Sequence, residues 1–580
     1  MVEYDVLIKN ATIVDGSGED RYTSDIAIKE EKIVDIGDVS GDAKKTIQAT
    51  GLIAAPGFID PHSHADTGIL RWPTADNLVM QGITTFIGGN CGVSMAPIVD
   101  TDLFIKLFTG GESESLGYEL DWNSFAQWLS RVEDKGIALN YVPLVGHQVV
   151  RVAVMGMDFK RPATGEEIVK MKSLVDQAMQ EGAWGMSTFR DPSPTEYARL
   201  DEIVALASVV KKYRGYYMPH TYRIQSQWPT EDKEEYGYIV FHGSIEDVYV
   251  GRYRGYIEAI EVGRRTGVPV HIAHLSLAFI IPQPYPTYMD ETLAYGTLEI
   301  ITKAREEGID VTYDVIAADS SIAGQLPLIL SFNQWVDPLL EPTKLLETLK
   351  SQSFREEVHR THEAGRLKFA MVHTKADPYW MDCFKIVKCT NRAYQNKTIT
   401  EIARQSLLDP LDVLMDILVE DPQTIWVQFK DKRMSDEAIA VFLNNPLGMP
   451  CTDTLYVVPL ERRGKFMQTG YGLAPITYGL YPHYYGHFVR DRGDISLEKA
   501  VKQATSVPAN RFGIDGRGRL QAGYYADIVL LDINSIRMCG DFAEPARKPE
   551  GISYVLVNGQ VVYDGNLVTG ALPGKVLRHC

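Results

Sequence analysis

Two histidines one residue apart, His62 and His64, stand at the end of Asp60-Pro61-His62-Ser63-His64, directly after the apolar run Leu52 to Ile59. On a strand, residues two apart face the same side, so both imidazoles would point at one spot. That is how a metal ion is gripped at a strand end. Taken alone, the pair could equally be two surface histidines in a turn, because so short a motif arises by chance.

Other strand-like runs end in the same chemistry. The next closes with Gly88-Gly89-Asn90-Cys91-Gly92, a later one with Tyr217-Met218-Pro219-His220, another with His271-Ile272-Ala273-His274, and the last with Met449-Pro450-Cys451-Thr452-Asp453. His62, His64, Cys91, His220, His274 and Asp453 would thus meet from five strand ends as a site for one or two ions. A single histidine there could be a hydrogen-bonded core residue; coincidence at all five ends is a poor explanation. Nitrogen, thiolate and carboxylate ligands favour Zn²⁺, with Mn²⁺ or Fe²⁺ also able to bind. A bound divalent ion lowers the pKa of its water to about 7 and polarises a carbonyl, which is hydrolytic chemistry. Asp453 would then take a proton from the water and return it to the leaving group; its alternative reading is a structural aspartate.

These groups need a scaffold that brings distant strand ends together. Apolar runs such as Gly82 to Gly88, Asn140 to Gly146, Ala183 to Ser187, Val268 to His274 and Gly308 to Asp314 alternate with helical patterns, for example Ile168, Met171, Leu174, Val175 and Ala178 within Glu166 to Gly182. The expected fold is α/β: an eight-stranded parallel (β/α)₈ TIM barrel, residues 57–514, with catalytic groups at the C-terminal strand ends. Residues 318–445 break the rhythm and read as an insertion beside the mouth; Arg223 to Tyr256 is a smaller irregular stretch. The two chain ends, 1–56 and 515–580, show alternating apolar and polar residues and an Asn558-Gly559 turn, so they should pair as short antiparallel strands in one small β-sandwich domain. His147 and Arg151, just past the third run, could face substrate or lie behind the groups that do.

Composition removes several functions. With 580 residues, 45% apolar and 23% charged, the chain is globular, and its net charge of −18 offers no basic surface for a polyanion. Nucleic acid is not an expected partner, no run is apolar enough to span a membrane, and six scattered cysteines fit a reducing, cytoplasmic location. A small-molecule substrate is expected, with homo-oligomerisation left open. No phosphate-binding glycine loop and no Gly-x-Ser-x-Gly elbow is present.

Pro56 to His64, Gly89-Asn90-Cys91-Gly92, Gly185-Met186-Ser187-Thr188, Thr505 to Phe512, Gly523 to Asp527 and Val557-Asn558-Gly559 together resemble the amidohydrolase superfamily, in its D-aminoacylase branch, over nearly the whole chain. The resemblance implies a tight metal position at Cys91, His220 and His274, a weaker one at His62 and His64, and an acid-base role for Asp453. It also implies that Cys91 bridges where many relatives use a carboxylated lysine, and the strand Trp184 to Ser187 carries no lysine.

The resemblance breaks down around the substrate. Where family deacylases hold a carboxylate with a lysine, tyrosines and an arginine, this chain has Ser276, Pro192, Val315-Ile316-Ala317 and His483. Aromatic and neutral residues, Tyr313, Tyr481, His483, Tyr484, Tyr485 and His487, stand in reach instead. A buried carboxylate lacking a cationic partner is costly. The expectation is therefore a neutral cyclic carbonyl substrate, such as the 1,3-dione dihydrophloroglucinol, with Tyr313, His483 and Tyr485 at the pocket. The alternatives are deacylation of an N-acyl-D-amino acid, opening of a cyclic amide, and a non-catalytic scaffold of the same descent.

Overall fold

The structure, a computed structural model, describes residues 4–108, 117–190, 194–221, 251–279, 286, 288–319, 325–328, 332, 335, 342–364, 367–369, 372–373, 380–428, 435–455, 457, 474–541 and 544–579. The irregular stretch read at Arg223 to Tyr256 lies mostly outside these residues. Its last part, from Gly251, opens the helix Gly251–Thr266.

Both chain ends build one mixed sheet. It contains β1 (Tyr4–Ile13), β2 (Tyr22–Lys29), β3 (Lys32–Gly37), β4 (Ala43–Gln48) and β5 (Ile53–Pro56) from the start of the chain. The end of the chain adds β20 (Ile528–Leu531), β21 (Ile552–Val557) and β22 (Gln560–Tyr563). The ends meet where β5 runs antiparallel to β20, with Ala55 opposite Val529. The expectation of purely antiparallel pairing is corrected, because β1 pairs parallel with β4 and β5. The β21–β22 hairpin turns through Asn558 and Gly559, both at positive φ, as the Asn-Gly pair allows.

Eight parallel runs carry the centre. They are β6 (Phe58–Asp60), β7 (Ile83–Gly88), β8 (Asn140–Pro143) with its short continuation β9 (Val145–Gly146), β10 (Gly185–Phe189), β11 (Tyr216–His220), β12 (Val270–Ile272), β13 (Val311–Ile316) and β19 (Gly448–Cys451). One sheet runs β6-β7-β8 and another β9-β10-β11-β12-β13-β19, all parallel. Beyond the named strands, Asp453 N donates to His62 O at 2.9 Å and His64 N to Thr454 O at 2.8 Å, bringing the last run beside the first. The runs are buried on both faces, as parallel strands between helices must be. The helix Gly165–Gln180 is typical of the covering layer: a Thr164/Glu167 capping box satisfies its first amides, and Met171, Val175, Ala178 and Met179 turn inward at helical spacing.

Between β13 and β19 lies material with its own core: Phe332, Leu349, Trp380, Phe384, Ile386, Leu414, Leu418 and Trp426 pack together. Here β17 (Phe384–Lys388) and β18 (Ile425–Gln428) pair antiparallel beside β14 (Gln325–Pro327), and the hairpin β15 (Lys368–Phe369) with β16 (Val372–His373) stands apart. Alternating residues in Phe384 to Lys388 explain the strand there. The helix Asp436–Asn444 packs instead into the core around the parallel strands, through Ala438, Ile439 and Phe442. Among the described residues no helix is long and apolar enough to cross a membrane.

Candidate metal centre

Asp60 fixes the first ligand pair. Its buried carboxylate accepts from Thr452 Oγ1 at 2.5 Å, Thr452 N at 3.0 Å and His62 N at 3.3 Å, tying the end of β6 to the end of β19. Burial pushes its pKa up to about 7 against these bonds. From there His62 and His64 lean toward Asp453, whose Oδ1 lies 3.5 Å from His62 Nε2 and 3.3 Å from His64 Nε2.

Cys91 is placed by a tight turn after β7. Gly89 has φ +82°, and a Cβ there would stand 2.2 Å from Leu144 O, so only glycine lets the turn approach β8. Asn90 Nδ2 donates to Ser63 O and Ile87 O, Gly92 N to Ser187 Oγ, and Gln148 Nε2 to Cys91 O. The loop is held from four sides. Cys91, His274 and Asp453 themselves have φ of +49°, +32° and +48°. Left-handed backbone costs an ordinary residue on the order of 1–3 kcal/mol, so finding it at three of six expected ligands marks a functional constraint.

The six residues form two groups that share the thiol. His62, His64, Cys91 and Asp453 offer ligand atoms within 4.8 Å of one another, as do Cys91, His220 and His274. Cys91 Sγ lies 3.2 Å from His220 Nδ1, 3.3 Å from His62 Nε2 and 3.9 Å from His274 Nε2, while His274 Nε2 and His220 Nδ1 are 3.0 Å apart. Tetrahedral zinc with ordinary bond lengths would separate two nitrogens by about 3.3 Å and a nitrogen from a sulfur by about 3.6 Å. The observed nitrogen–sulfur spacings of 3.2, 3.3 and 3.9 Å bracket the second value, and the nitrogen pair at 3.0 Å lies slightly inside the first. Burial alone would favour the neutral thiol, but the His220 and His62 imidazoles outweigh it and hold Cys91 well below the usual thiol range, as a ligand thiolate requires. The donor set fits a divalent ion, and His64 and Asp453 are its most exposed members, giving solvent access on one side.

Sequence reasoning missed the groups behind the ligands. Asp314, within β13, is fully buried: its Oδ2 accepts from His271 Nε2 at 2.9 Å and lies 3.7 Å from His62 Nδ1, while Oδ1 accepts from His274 N at 2.6 Å and Cys451 Sγ at 3.0 Å. Glu202, on the helix Leu200–Lys212, was also missed. It accepts from Arg151 and lies 2.8 Å from His147 Nε2. Strand parity could have pointed to Asp314, two residues past Thr312 on the inward face; nothing in the sequence marks Glu202.

The expected substrate-facing residues are corrected. His147 and Arg151 are fully buried and spent on Glu202, with Arg151 also donating to Phe159 O and Arg161 O. Tyr313 points away from Asp314 along β13, and its hydroxyl donates to Phe442 O. Tyr485 and Tyr481 stack on Phe58, each at 5.0 Å between ring centroids, and Tyr481 OH donates to Ile59 O and Pro450 O; Tyr484 is equally buried. His483 stacks on His487, which pairs with Asp436 at 2.7 Å, and burial pushes His483 down to about 4. Tyr313, Tyr481, Tyr484 and Tyr485 are core, so among the described residues these rings do not form the neutral aromatic pocket that suggested a cyclic dione. Of the positions expected to replace the family's carboxylate anchors, Ser276 is buried, its OH-side loop tied to Tyr256, and Pro192 lies outside the described residues.

The amidohydrolase family model matches residues 45–313 and 396–563, spanning β6 to β13 and the closing strands of the end sheet. The chain belongs to the amidohydrolase family. It is a metal-dependent hydrolase in the branch that contains the D-aminoacylases. D-aminoacylase from Alcaligenes xylosoxydans xylosoxydans is 28% identical over 99% of this chain and 97% of its own length. N-acyl-D-aspartate deacylase from the same organism is 27% identical, over 99% and 95%. N-acyl-D-glutamate deacylase from Bordetella bronchiseptica, solved with zinc and a phosphonate mimic of the tetrahedral intermediate, superposes with a TM-score of 0.71 at 24% identity, covering 99% of this chain and 100% of that one. A D-aminoacylase structure with a binuclear metal centre gives 0.72 at 24% identity, with the same coverage. Nothing in these likenesses favours a cyclic dione.

Proposed function

We propose that this protein is a zinc-dependent deacylase that hydrolyses the amide bond of an N-acyl-D-amino acid. The observation that carries the reading is the pair of ligand groups sharing Cys91, with Asp453 at their open edge. Cys91, His220 and His274 would hold one ion, and His62 and His64 a second with Cys91 and Asp453. A bound ion supplies an acidified water and a polarised carbonyl. Asp453 does the proton work: its carboxylate, held down to about 2 by His62 and His64 against the upward pull of burial, takes the proton of the attacking water and passes it to the departing amine. The relatives' activities, D-aminoacylase and N-acyl-D-aspartate deacylase, support amide cleavage over C–C cleavage.

The substrate's carboxylate needs a cation. Arg151 and Arg190 are committed to Glu202 and Glu258. Arg252 and Arg254 are buried in the first turns of the helix that follows β11, where Tyr253 N donates to Ala278 O in the loop beyond His274. A helix covering a parallel strand begins beyond that strand's C-terminal end, the end at which the six candidate metal-binding groups converge.

The same reading includes a closed eight-stranded barrel. Supporting it are the bonds between the ends of β19 and β6 and the parallel bridge of Ser63 with Thr454. It divides the chain into a catalytic domain near 57–514 and a β domain from 1–56 and 515–580, and the helix Asp436–Asn444 argues for ending the insertion before 435 rather than at 445. Cys91, Cys389, Cys451 and Cys539, each outside any disulfide, are compatible with the cytoplasm.

The test is turnover by zinc-loaded protein of N-acetyl-D-amino acids, their L-enantiomers and cyclic 1,3-diones. D-selective deacylation is expected. Dione opening without deacylation would overturn the proposal.

A further inference from the structure

Asp314 reaches both ligand groups from behind, and its two oxygens do different work. Oδ1 accepts from the His274 backbone N at 2.6 Å and from Cys451 Sγ at 3.0 Å, so it supports the left-handed turn that aims His274 at Cys91 and His220. Oδ2 accepts from His271 Nε2 at 2.9 Å and faces His62 Nδ1 at 3.7 Å. His271 needs its Nε2 proton for that bond, so its Nδ1 accepts from Thr312 Oγ1 at 2.8 Å, and the tautomer is fixed. His271 is therefore committed, and what remains of Oδ2 is directed at His62.

We propose that Asp314 is a positioning residue for the second ion: by facing His62 Nδ1 it keeps the proton on that nitrogen and leaves Nε2, which points at Cys91 and Asp453, free to bind metal. This rests on the two-ion reading above. A histidine ligand characteristically gives its other ring nitrogen to a carboxylate or carbonyl, which sets ring orientation and basicity. The asymmetry of Asp314 makes the effect selective. In Asp314→Asn the amide oxygen stays with the two donors on the Oδ1 side, and the NH₂ takes the place of Oδ2. Its two hydrogens then go to His271 Nε2, which gives up its proton for one on Nδ1 donated to Thr312 Oγ1, and to His62 Nδ1, so that the His62 proton moves to Nε2, where the ion should be. The turn at His274 keeps its acceptor.

The experiment is zinc stoichiometry and affinity of wild type and Asp314→Asn by competition with graded chelator, with Co²⁺-loaded protein watched for the thiolate charge-transfer band of Cys91. Expected are a first ion bound as in wild type, an unchanged band, and a second ion weakened roughly 10- to 100-fold. Equal affinity of both proteins for two ions would overturn the inference while leaving the metal centre standing; a wild type that binds fewer than two ions overturns both. Should the variant not fold, ¹⁵N spectra of histidine-labelled, zinc-loaded wild type decide. His62 bound through Nε2 with a proton on Nδ1 supports the inference, and His62 bound through Nδ1 or lacking that proton contradicts it.

Discussion

Glu202→Gln should destabilise the protein by about 3 kcal/mol at neutral pH while leaving its metal content unchanged. The Glu202 side chain is 1% exposed and serves two wholly buried donors, the Arg151 guanidinium and the His147 imidazole, which burial keeps neutral at pH 7. Against the penalty of burial, His147 and Arg151 hold the carboxyl at about 2, compared with an ordinary 4.5. At about 1.4 kcal/mol per pH unit of displacement, that corresponds to roughly 3 kcal/mol. Stripping one partner from a buried ion pair independently costs about 3–5 kcal/mol, because the remaining charge is left uncompensated. The two routes agree in size. The folded pKa is depressed, so the stabilisation is fully present above pH 4.5 and is lost as pH falls toward 2. Urea unfolding of both proteins, followed by tryptophan fluorescence, should therefore give a stability gap that is constant from pH 7 to 5 and narrows below 4.5. A gap under about 1 kcal/mol at pH 7, or one that widens on acidification, would refute the reasoning.

Three further outcomes follow from the same geometry. Asp453→Asn should lower kcat by about 10²–10⁴ while retaining zinc on the Cys91, His220 and His274 ligands, measured by steady-state kinetics and metal analysis together. Cys91→Ala removes the shared ligand, so zinc content after dialysis should fall for both positions; full retention would show that the thiol is a bystander. Phe384→Ala opens the separate core against Trp380 and Trp426, at a cost of about 3–5 kcal/mol to that segment; hydrogen exchange should rise in residues 380–428 and not around β6 to β13.

The convergence of His62, His64, Cys91, His220, His274 and Asp453 was legible because these are rare residue types at the ends of apolar runs, and strand periodicity aims them without any knowledge of tertiary structure. The end sheet was legible for a similar reason: alternation and the Asn558-Gly559 turn are local signals. Its parallel β1–β4 and β1–β5 pairings were not, since direction depends on where the intervening chain returns. Asp314, His271 and Glu202 escaped notice because an isolated acid or histidine on a strand or helix reads the same whether it is buried against a partner or exposed. The left-handed backbone of Cys91, His274 and Asp453 belongs to loop packing and has no signature in those residue types. Tyr313, Tyr481, Tyr484 and Tyr485 were misread because composition cannot distinguish a ring that stacks on Phe58 from one that lines a pocket.

The most direct measurement of the central claim is X-ray absorption at the zinc edge of the reconstituted wild-type protein. Cys91 shared between two groups of imidazoles predicts a first shell of nitrogen and oxygen at about 2.0–2.1 Å with a sulfur at about 2.3 Å, and the sulfur component vanishing in Cys91→Ala. A nitrogen and oxygen shell without sulfur in the wild type, or no zinc retained after dialysis, would contradict it.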